Sequence, residues 1–157
     1  KLYPDLTYID HAPNSGELLL ISCALGLVGI MMYLVTGVVF PLAFAVRLAT
    51  TTLIGNIVHD MYRHLYRNAD RTTVINSTIT GPRWILAVIE SSLIRVASEC
   101  GRVVGLLERG DISWLGHRFD WFTHRAGEGP MNEERANSAQ RMGTITLMLA
   151  VTLRMIQ

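Results

Sequence analysis

A long, uncharged and mostly apolar run dominates the first third of the chain. From Leu18 to Val46 no residue is charged, and most are Leu, Ile, Val, Met or Ala. About 20 consecutive apolar residues are enough to cross a bilayer as a helix. The run therefore predicts one transmembrane helix over residues 18–46, preceded by a polar loop over residues 1–17 that proline and glycine interrupt.

Two features modify this first run. Pro41 lies near its end and is expected to kink or end the helix there. Small residues recur inside the run and predict close contact with neighbouring helices; they are Ser22, Ala24, Gly26, Gly29 and Gly37. Residues 47–81 then predict a short helix and an irregular linker on the inner face of the membrane.

A different pattern follows over residues 82–108, because here the apolar positions recur at three- and four-residue steps. They form one helical stripe, made of Leu86, Ile89, Leu93, Val96, Cys100, Val103 and Leu107. The other side is predicted to carry the polar residues Arg83, Glu90, Ser91, Arg95, Ser98, Glu99 and Arg102. Each charge at the centre of a spanning helix costs roughly 2.5–3.5 kcal/mol. The segment therefore predicts an amphipathic helix lying laterally on the membrane surface or on other helices.

The last part of the chain alternates between interfacial and apolar character. Residues 109–134 combine tryptophan and phenylalanine with arginine, which is typical of a segment in the headgroup layer. Stacking on nucleotide bases is the alternative use of such residues, but no nucleic-acid-binding fold pattern accompanies them. Residues 135–157 predict a second transmembrane helix near the C-terminus, whose apolar part lies between Arg141 and Arg154.

Composition agrees with an all-α membrane protein. Half of the residues are hydrophobic and only 17% are charged, against about 25% in an average soluble domain. Thirteen of the fourteen Lys and Arg residues are arginine, and the net charge is +1, which does not favour nucleic-acid binding. Acidic residues precede the first run and arginines follow it, which predicts that the far end of the first helix lies on the inner face.

The stretch NIVHDMYRHLYRNADR, at residues 56–71, holds the candidate site residues. Arg47, Arg63 and Arg67 are candidate contacts for anionic lipid headgroups such as cardiolipin. A proton relay through His59, Asp60 and His64 is the alternative that assigns this segment a chemical role. Their spacing matches no standard metal-ligand pattern, so no metal is expected. The sequence has no P-loop, GxGxxG or GxSxG motif, so neither a catalytic site nor a cofactor is expected.

Two stretches carry a resemblance to a known family. LYPDLTY, followed by HAPNSGELLLISCALGLVGIMMYLV, resembles the late region of antiporter-like membrane subunits, and VHDMYRHLYR resembles the segment after it. These subunits belong to Mrp-type sodium/proton antiporters, membrane-bound hydrogenases and respiratory complex I, where the chain-5-like subunit ends in a lateral helix and a final span. Asp60 is followed by Met61 where the family pattern has Trp. The resemblance implies the tail of such a subunit, without its ion-conducting helices.

The leading functional prediction is a non-catalytic structural component of a large energy-converting membrane complex, which braces neighbouring subunits. Its partners would be other membrane subunits and the lipid bilayer, in the inner mitochondrial membrane or a bacterial plasma membrane. A lineage-specific accessory subunit of a respiratory or ATP-synthase complex is one alternative. A small homo-oligomeric transporter or channel is the other, although the first apolar run contains no ionisable side chain to line an ion path.

Overall fold

The computed structural model describes residues 8–9, 15–63, 81–110, 112, 118–119 and 130–154, with side chains over 15–63, 81–110, 112 and 137–154. This part of the chain is helical apart from one pair of two-residue strands. The elements in chain order are β1 Tyr8–Ile9, α1 Ser15–Thr36, α2 Phe40–Tyr62, α3 Pro82–Glu108, β2 Arg118–Phe119 and α4 Pro130–Arg154.

The structure corrects the prediction of one helix over residues 18–46, because the apolar run is divided between α1 and α2. Gly37 follows α1 with a φ of 73°, and its amide donates to the carbonyl of Tyr33 at 2.9 Å. Only glycine enters this left-handed conformation without steric cost, so Gly37 ends α1. Pro41 then occupies the first turn of α2, where its missing amide hydrogen costs nothing.

The two helices return on each other as an antiparallel hairpin. A Cβ built on Gly29 would lie 2.6 Å from the backbone nitrogen of Leu42, and one on Gly26 would lie 3.8 Å from the Cβ of Ala45. At the other end Ser15, the first residue of α1, reaches Asn56 near the end of α2. The predicted close contacts at small residues are thus found inside the hairpin, where Gly29 allows the backbones to approach.

The hairpin also changes where the chain leaves the apolar run relative to where it enters it. We call the end of the hairpin at Ser15 and Tyr62, where α1 begins and α2 ends, the open end. A single span would have put residues 1–17 and residues 47–81 on opposite faces of a membrane. In the hairpin the chain enters α1 and leaves α2 at the same end, and residues 47–62 of the second segment belong to α2 itself.

α3 has the bounds that the sequence predicts, but its buried face is different. Leu86 and Leu93 of the predicted apolar stripe are 65% and 46% exposed. Glu99, predicted to lie on the polar side, is 8% exposed because α3 packs on α1 there. Val96 and Val103 of the predicted stripe are buried, whereas the other buried positions of α3, Val88, Ser92 and Glu99, lie outside that stripe.

α4 begins at Pro130, five residues before the predicted start of the C-terminal helix, and runs antiparallel to α2. A Cβ on Gly55 would lie 2.7 Å from the side chain of Ile145, which is 2% exposed. Arg141, one turn earlier on α4, reaches Asp60, one turn later on α2. Polar as well as apolar residues of α4 are therefore buried against the hairpin.

Two helices of the described part of the chain, α1 and α2, are long and apolar enough to cross a membrane. At about 1.5 Å per residue, the 22 residues of α1 extend about 33 Å, slightly more than the hydrocarbon core of a bilayer. α4, predicted as the second span, is not one of these two helices within the residues described. These two helices favour association with a membrane.

The pair of short strands joins the beginning of the chain to the segment after α3. Tyr8 lies opposite Phe119 and Ile9 opposite Arg118 in antiparallel register. The N-terminal loop predicted over residues 1–17 thus meets the segment predicted over residues 109–134 through backbone pairing. Most of that second segment, including its tryptophans, lies outside the described residues.

Candidate functional site

The residues around Asp60 form a buried cluster to which all four helices contribute. We call it the polar network; its members are Ser15 of α1, Asn56 and Asp60 of α2, Arg95 and Glu99 of α3, and Arg141 of α4. Ser15, Asn56 and Arg141 are each at most 3% exposed. The network lies at the open end of the hairpin.

Asp60 is held between two arginines. The Nη2 atom of Arg95 donates to Oδ2 of Asp60, and the Nη2 atom of Arg141 lies 3.8 Å from Oδ1 of the same carboxylate. The side chains of Asp60 and Arg141 are 11% and 3% exposed. Solvent screens such a pair far less than a surface ion pair, so removal of one partner leaves an uncompensated buried charge.

Asn56 connects this ion pair to the start of α1. Its Oδ1 atom accepts hydrogen bonds from the hydroxyl of Ser15 at 3.0 Å and from Nη2 of Arg95 at 3.1 Å. Its Nδ2 atom donates to the carbonyl of Thr52 at 2.7 Å, one turn earlier in α2. Asn56 is fully buried, and these bonds offset the cost of removing its amide from water.

The amide of Ser15 provides a third connection, because it donates to Oε2 of Glu99 at 3.0 Å. An amide in the first turn of a helix has no partner within its own helix, and a carboxylate there also interacts favourably with the helix dipole. Gly16 allows this contact: a Cβ at that position would lie 2.6 Å from the backbone carbon of Glu99. The start of α1 is thus fixed directly on the backbone of α3.

The candidate relay residues are only partly brought together. His59 and Asp60 are both buried at the open end, 3% and 8% exposed. The Nε2 atom of His59 is buried and has no hydrogen-bond partner among the described residues. His64 lies outside the described residues. Proton transfer through this cluster therefore stays a prediction.

The three candidate lipid contacts do not form one patch at the end of a span. Arg47 and Arg63 are both half-buried, but Arg47 lies inside α2 and Arg63 follows its last residue. Sixteen residues of helix separate them, which is about 24 Å. Arg67 lies outside the described residues. Contact with anionic headgroups stays a prediction for each of them.

No group of three His, Cys, Asp or Glu side chains that could hold a metal ion occurs within the described ranges. The polar network instead places the Asp60 carboxylate between two guanidinium groups, and Oε2 of Glu99 accepts from the amide of Ser15, so these oxygens already interact with donors of the chain itself. The arrangement is therefore suited to fixing four helices together. Its chemistry is that of a buried ion pair extended by neutral hydrogen bonds.

Sequence reasoning missed Arg95 and Arg141 as partners of Asp60, and Asn56 as a member of the polar network. A signal was present in α2, where polar or small residues recur on one side of an otherwise apolar helix; they are Thr51, Thr52, Gly55, Asn56, His59 and Asp60. Such a stripe indicates a buried polar contact in an apolar helix. Arg95 and Arg141 had no comparable signal, because arginine at those positions equally suits a solvated face.

Comparison with known proteins adds no relative, since no family model, curated protein or solved structure matches this chain.

Proposed function

We propose that this chain is a non-catalytic structural component of a membrane protein complex, with the α1–α2 hairpin embedded in the bilayer. The observation that carries the proposal is the distribution of side chains in that hairpin. Its buried positions in α1 are small, namely Ser15, Gly16, Ser22 and Gly29. Its large apolar side chains point outward, with Leu27, Leu34, Val35 and Phe40 between 67% and 80% exposed.

This distribution is the reverse of that in a water-soluble helical bundle. Burial of a Val, Leu, Ile or Phe side chain is worth about 1.5–3 kcal/mol, so a soluble protein places these residues inside. In lipid the hydrophobic effect no longer favours burial, and helices associate through small residues and hydrogen bonds. The outward apolar face of α1 and its glycine-lined inner face both agree with a lipid or membrane-protein environment.

The turn of the hairpin supports the same environment. Backbone groups within a bilayer must find partners inside the protein. The amide of Gly37 bonds Tyr33, the amide of Val38 approaches the hydroxyl of Thr36 at 3.4 Å, and Pro41 has no amide hydrogen. The turn residues Val38 and Val39 are themselves apolar and exposed. An uncharged, internally bonded turn of this kind is suited to apolar surroundings.

The polar network supports a structural role. It joins the open end of the hairpin to α3 and α4 through Asp60, which interacts with the half-buried Arg95 and the buried Arg141. Charged groups are least costly near a membrane boundary, and the open end is the part of the hairpin that adjoins such a boundary. α3 and α4 would thereby be held at a fixed angle to the hairpin, ready to brace neighbouring subunits.

The antiporter-like resemblance narrows the proposal to a large energy-converting complex, respiratory or antiporter-like. Its chain-5-like members end in a lateral helix and a final span. α3 follows the hairpin at the place of the lateral helix, whereas α4 is not among the helices apolar enough to span a membrane within the residues described. A lineage-specific accessory subunit of a respiratory or ATP-synthase complex would likewise need a membrane-embedded hairpin and helices that contact neighbouring subunits. The companions of the chain in native membranes distinguish these two identities.

Cys23 provides a direct test of membrane embedding, because it is exposed on the surface of α1. In native membranes we expect Cys23, in a Cys100→Ser variant, to resist a water-soluble maleimide and to react once detergent is added. The matched control places the only cysteine at exposed position 98 of α3, in a Ser98→Cys, Cys23→Ser, Cys100→Ser variant. We expect the control to react without detergent. Rapid labelling of Cys23 in intact membranes, or release of the chain by alkaline carbonate, would overturn the proposal.

Native gel electrophoresis after mild-detergent extraction tests the assembly part. We expect the chain to migrate in a large complex together with other membrane subunits, identified by mass spectrometry. A buried carboxylate beside His59 instead favours the second candidate, a small homo-oligomeric transporter. Migration as a small homo-oligomer, with ion flux in liposomes that Asp60→Asn abolishes, would replace the structural proposal with that one.

A further inference from the structure

Arg47 is an arginine on the outward face of an apolar helix. The buried residues of α2 lie on the side that meets α1, α3 and α4. Arg47 lies on the opposite side, in line with Thr50, Ile54 and Val58 at three- and four-residue steps. Ile54 and Val58 are each 44% exposed, and Val46, next to Arg47 in sequence, is 58% exposed. The guanidinium is thus carried by a surface that is otherwise largely apolar.

The position of Arg47 along the hairpin makes its charge costly in a bilayer. Seven residues separate it from Phe40 at the turn, about 10 Å of helix, and nine separate it from Asn56 in the polar network. Its side chain leans toward the turn, but the turn residues are apolar and uncharged. An arginine well inside a span costs roughly 2.5–3.5 kcal/mol, and intramembrane charges are therefore usually paired.

Among the residues that the structure describes, no carboxylate pairs with Arg47. Within the described residues the side chain of Arg47 makes no hydrogen bond or ion pair. The sequence contains no Asp or Glu between Glu17 and Asp60, and Asp60 is already held by two arginines. The hairpin of a second copy has the same gap in its sequence, so hairpin-to-hairpin pairing of two copies would not bring a carboxylate to Arg47.

We infer that the face of α2 formed by Arg47, Thr50, Ile54 and Val58 docks a membrane helix of a different protein that carries an Asp or Glu at the depth of Arg47. This inference rests on the proposed membrane function. Charge complementarity selects the partner, because a carboxylate in an apolar helix would itself need a cation. Ile54 and Val58 would pack on either side of the partner's backbone, with Thr50 leaving room for close approach.

The first test compares variants expressed in place of the wild-type chain and extracted in mild detergent. We expect Arg47→Leu and Arg47→Glu to reduce the amount of chain in the large assembly about tenfold or more, because each leaves the partner's buried carboxylate without its cation. Arg47→Lys should retain most of the assembly. The matched control is Arg83→Leu, which removes an exposed arginine from the start of α3 and should have no effect.

The second test does not depend on loss of assembly. A photo-reactive amino acid at position 54 should crosslink to a peptide of another protein in which an Asp or Glu interrupts an apolar segment. The same amino acid at Val28, exposed on α1, is the control and should not capture that peptide. Crosslinks from position 54 to lipid only, to a second copy of this chain, or to a segment without a carboxylate would overturn the inference.

Failure of this inference is distinguishable from failure of the proposed function. A chain that alkaline carbonate releases from membranes refutes the membrane function and the docking site together. A chain that resists carbonate, while Arg47→Leu leaves the assembly intact, refutes only the docking site. Anionic headgroups would then be the remaining counter-charge for Arg47.

Discussion

Gly29 and Gly26 allow a matched test of how the hairpin is packed. They lie one turn apart on the same face of α1, but they approach α2 differently. A Cβ at Gly29 would lie 2.6 Å from the backbone nitrogen and 2.7 Å from the Cα of Leu42. A Cβ at Gly26 would lie 3.8 Å from the Cβ of Ala45, which is an ordinary contact. Gly29→Ala should therefore force the helices apart, whereas Gly26→Ala should not.

The expected magnitudes follow from two opposing effects. Replacement of glycine by alanine inside a helix gains about 1 kcal/mol from helix propensity, and this gain is common to both variants. Overpacking against a backbone that cannot rotate away costs about 1–3 kcal/mol, and it applies only at Gly29. The difference in free energy of unfolding between the two variants should therefore be about 1–3 kcal/mol, with Gly29→Ala the less stable.

The assay is unfolding of the purified chain in mixed micelles, where a denaturing detergent is titrated and helix content is followed by circular dichroism. Comparison of the two variants with each other removes errors in the extrapolated stability of the wild type. Equal midpoints and slopes for the two variants, with stabilities within about 0.5 kcal/mol, would refute the close backbone approach at Gly29.

Three further predictions use the same unfolding assay or thiol labelling. Asp60→Ala should destabilise the chain by about 3 kcal/mol or more, because the buried Arg141 and the half-buried Arg95 lose their counter-charge. Glu90→Gln, on an exposed part of α3, should change stability by less than about 0.5 kcal/mol, and equal effects of the two substitutions would contradict a buried network. Gly37→Ala should lower the free energy of unfolding by about 1 kcal/mol, because the left-handed conformation at φ 73° is sterically unfavourable for alanine. An unchanged unfolding midpoint would contradict this turn. Burial, and then the neighbouring carboxylate, raises the pKa of the Cys100 thiol. In detergent, in a Cys23→Ser variant, its maleimide rate at pH 8 should therefore be lower than that of the same variant unfolded in denaturant, and it should rise as pH rises. Equal rates in the folded and unfolded chain would contradict the burial of Cys100.

Local chain chemistry was largely readable without the structure. Pro82 at the start and the helical recurrence after it were enough to predict α3 with the observed bounds. Gly37 and Pro41 also carried a readable signal, since glycine after a helix and proline at the start of the next separate two helices. The uniform apolarity of residues 18–46 nevertheless favoured the prediction of a single helix. Apolarity indicates how readily a segment enters lipid, but it does not show whether the chain reverses direction within that segment.

The candidate site was predictable only in part. His59 and Asp60 were identified as notable ionisable residues beside an apolar run, and the structure buries both. Arg95 and Glu99 were expected on a solvated face, because a periodic stripe gives the more apolar side of a helix but not the side that packs inward. Around α3 the inward side is set by partners at Ser15, Asn56 and Asp60, which come from distant parts of the chain.

The sequence by itself determined that the chain forms long helices, that its first apolar run is apolar enough for a membrane, and where α3 begins and ends. These properties depend on residue type and on spacing within one segment. Tertiary structure alone decided that the first apolar run is a hairpin, that Asp60 lies between Arg95 and Arg141, and that Arg47 faces outward. These properties depend on which helices approach each other, and the contacts that fix the approach join residues 35 to 84 positions apart.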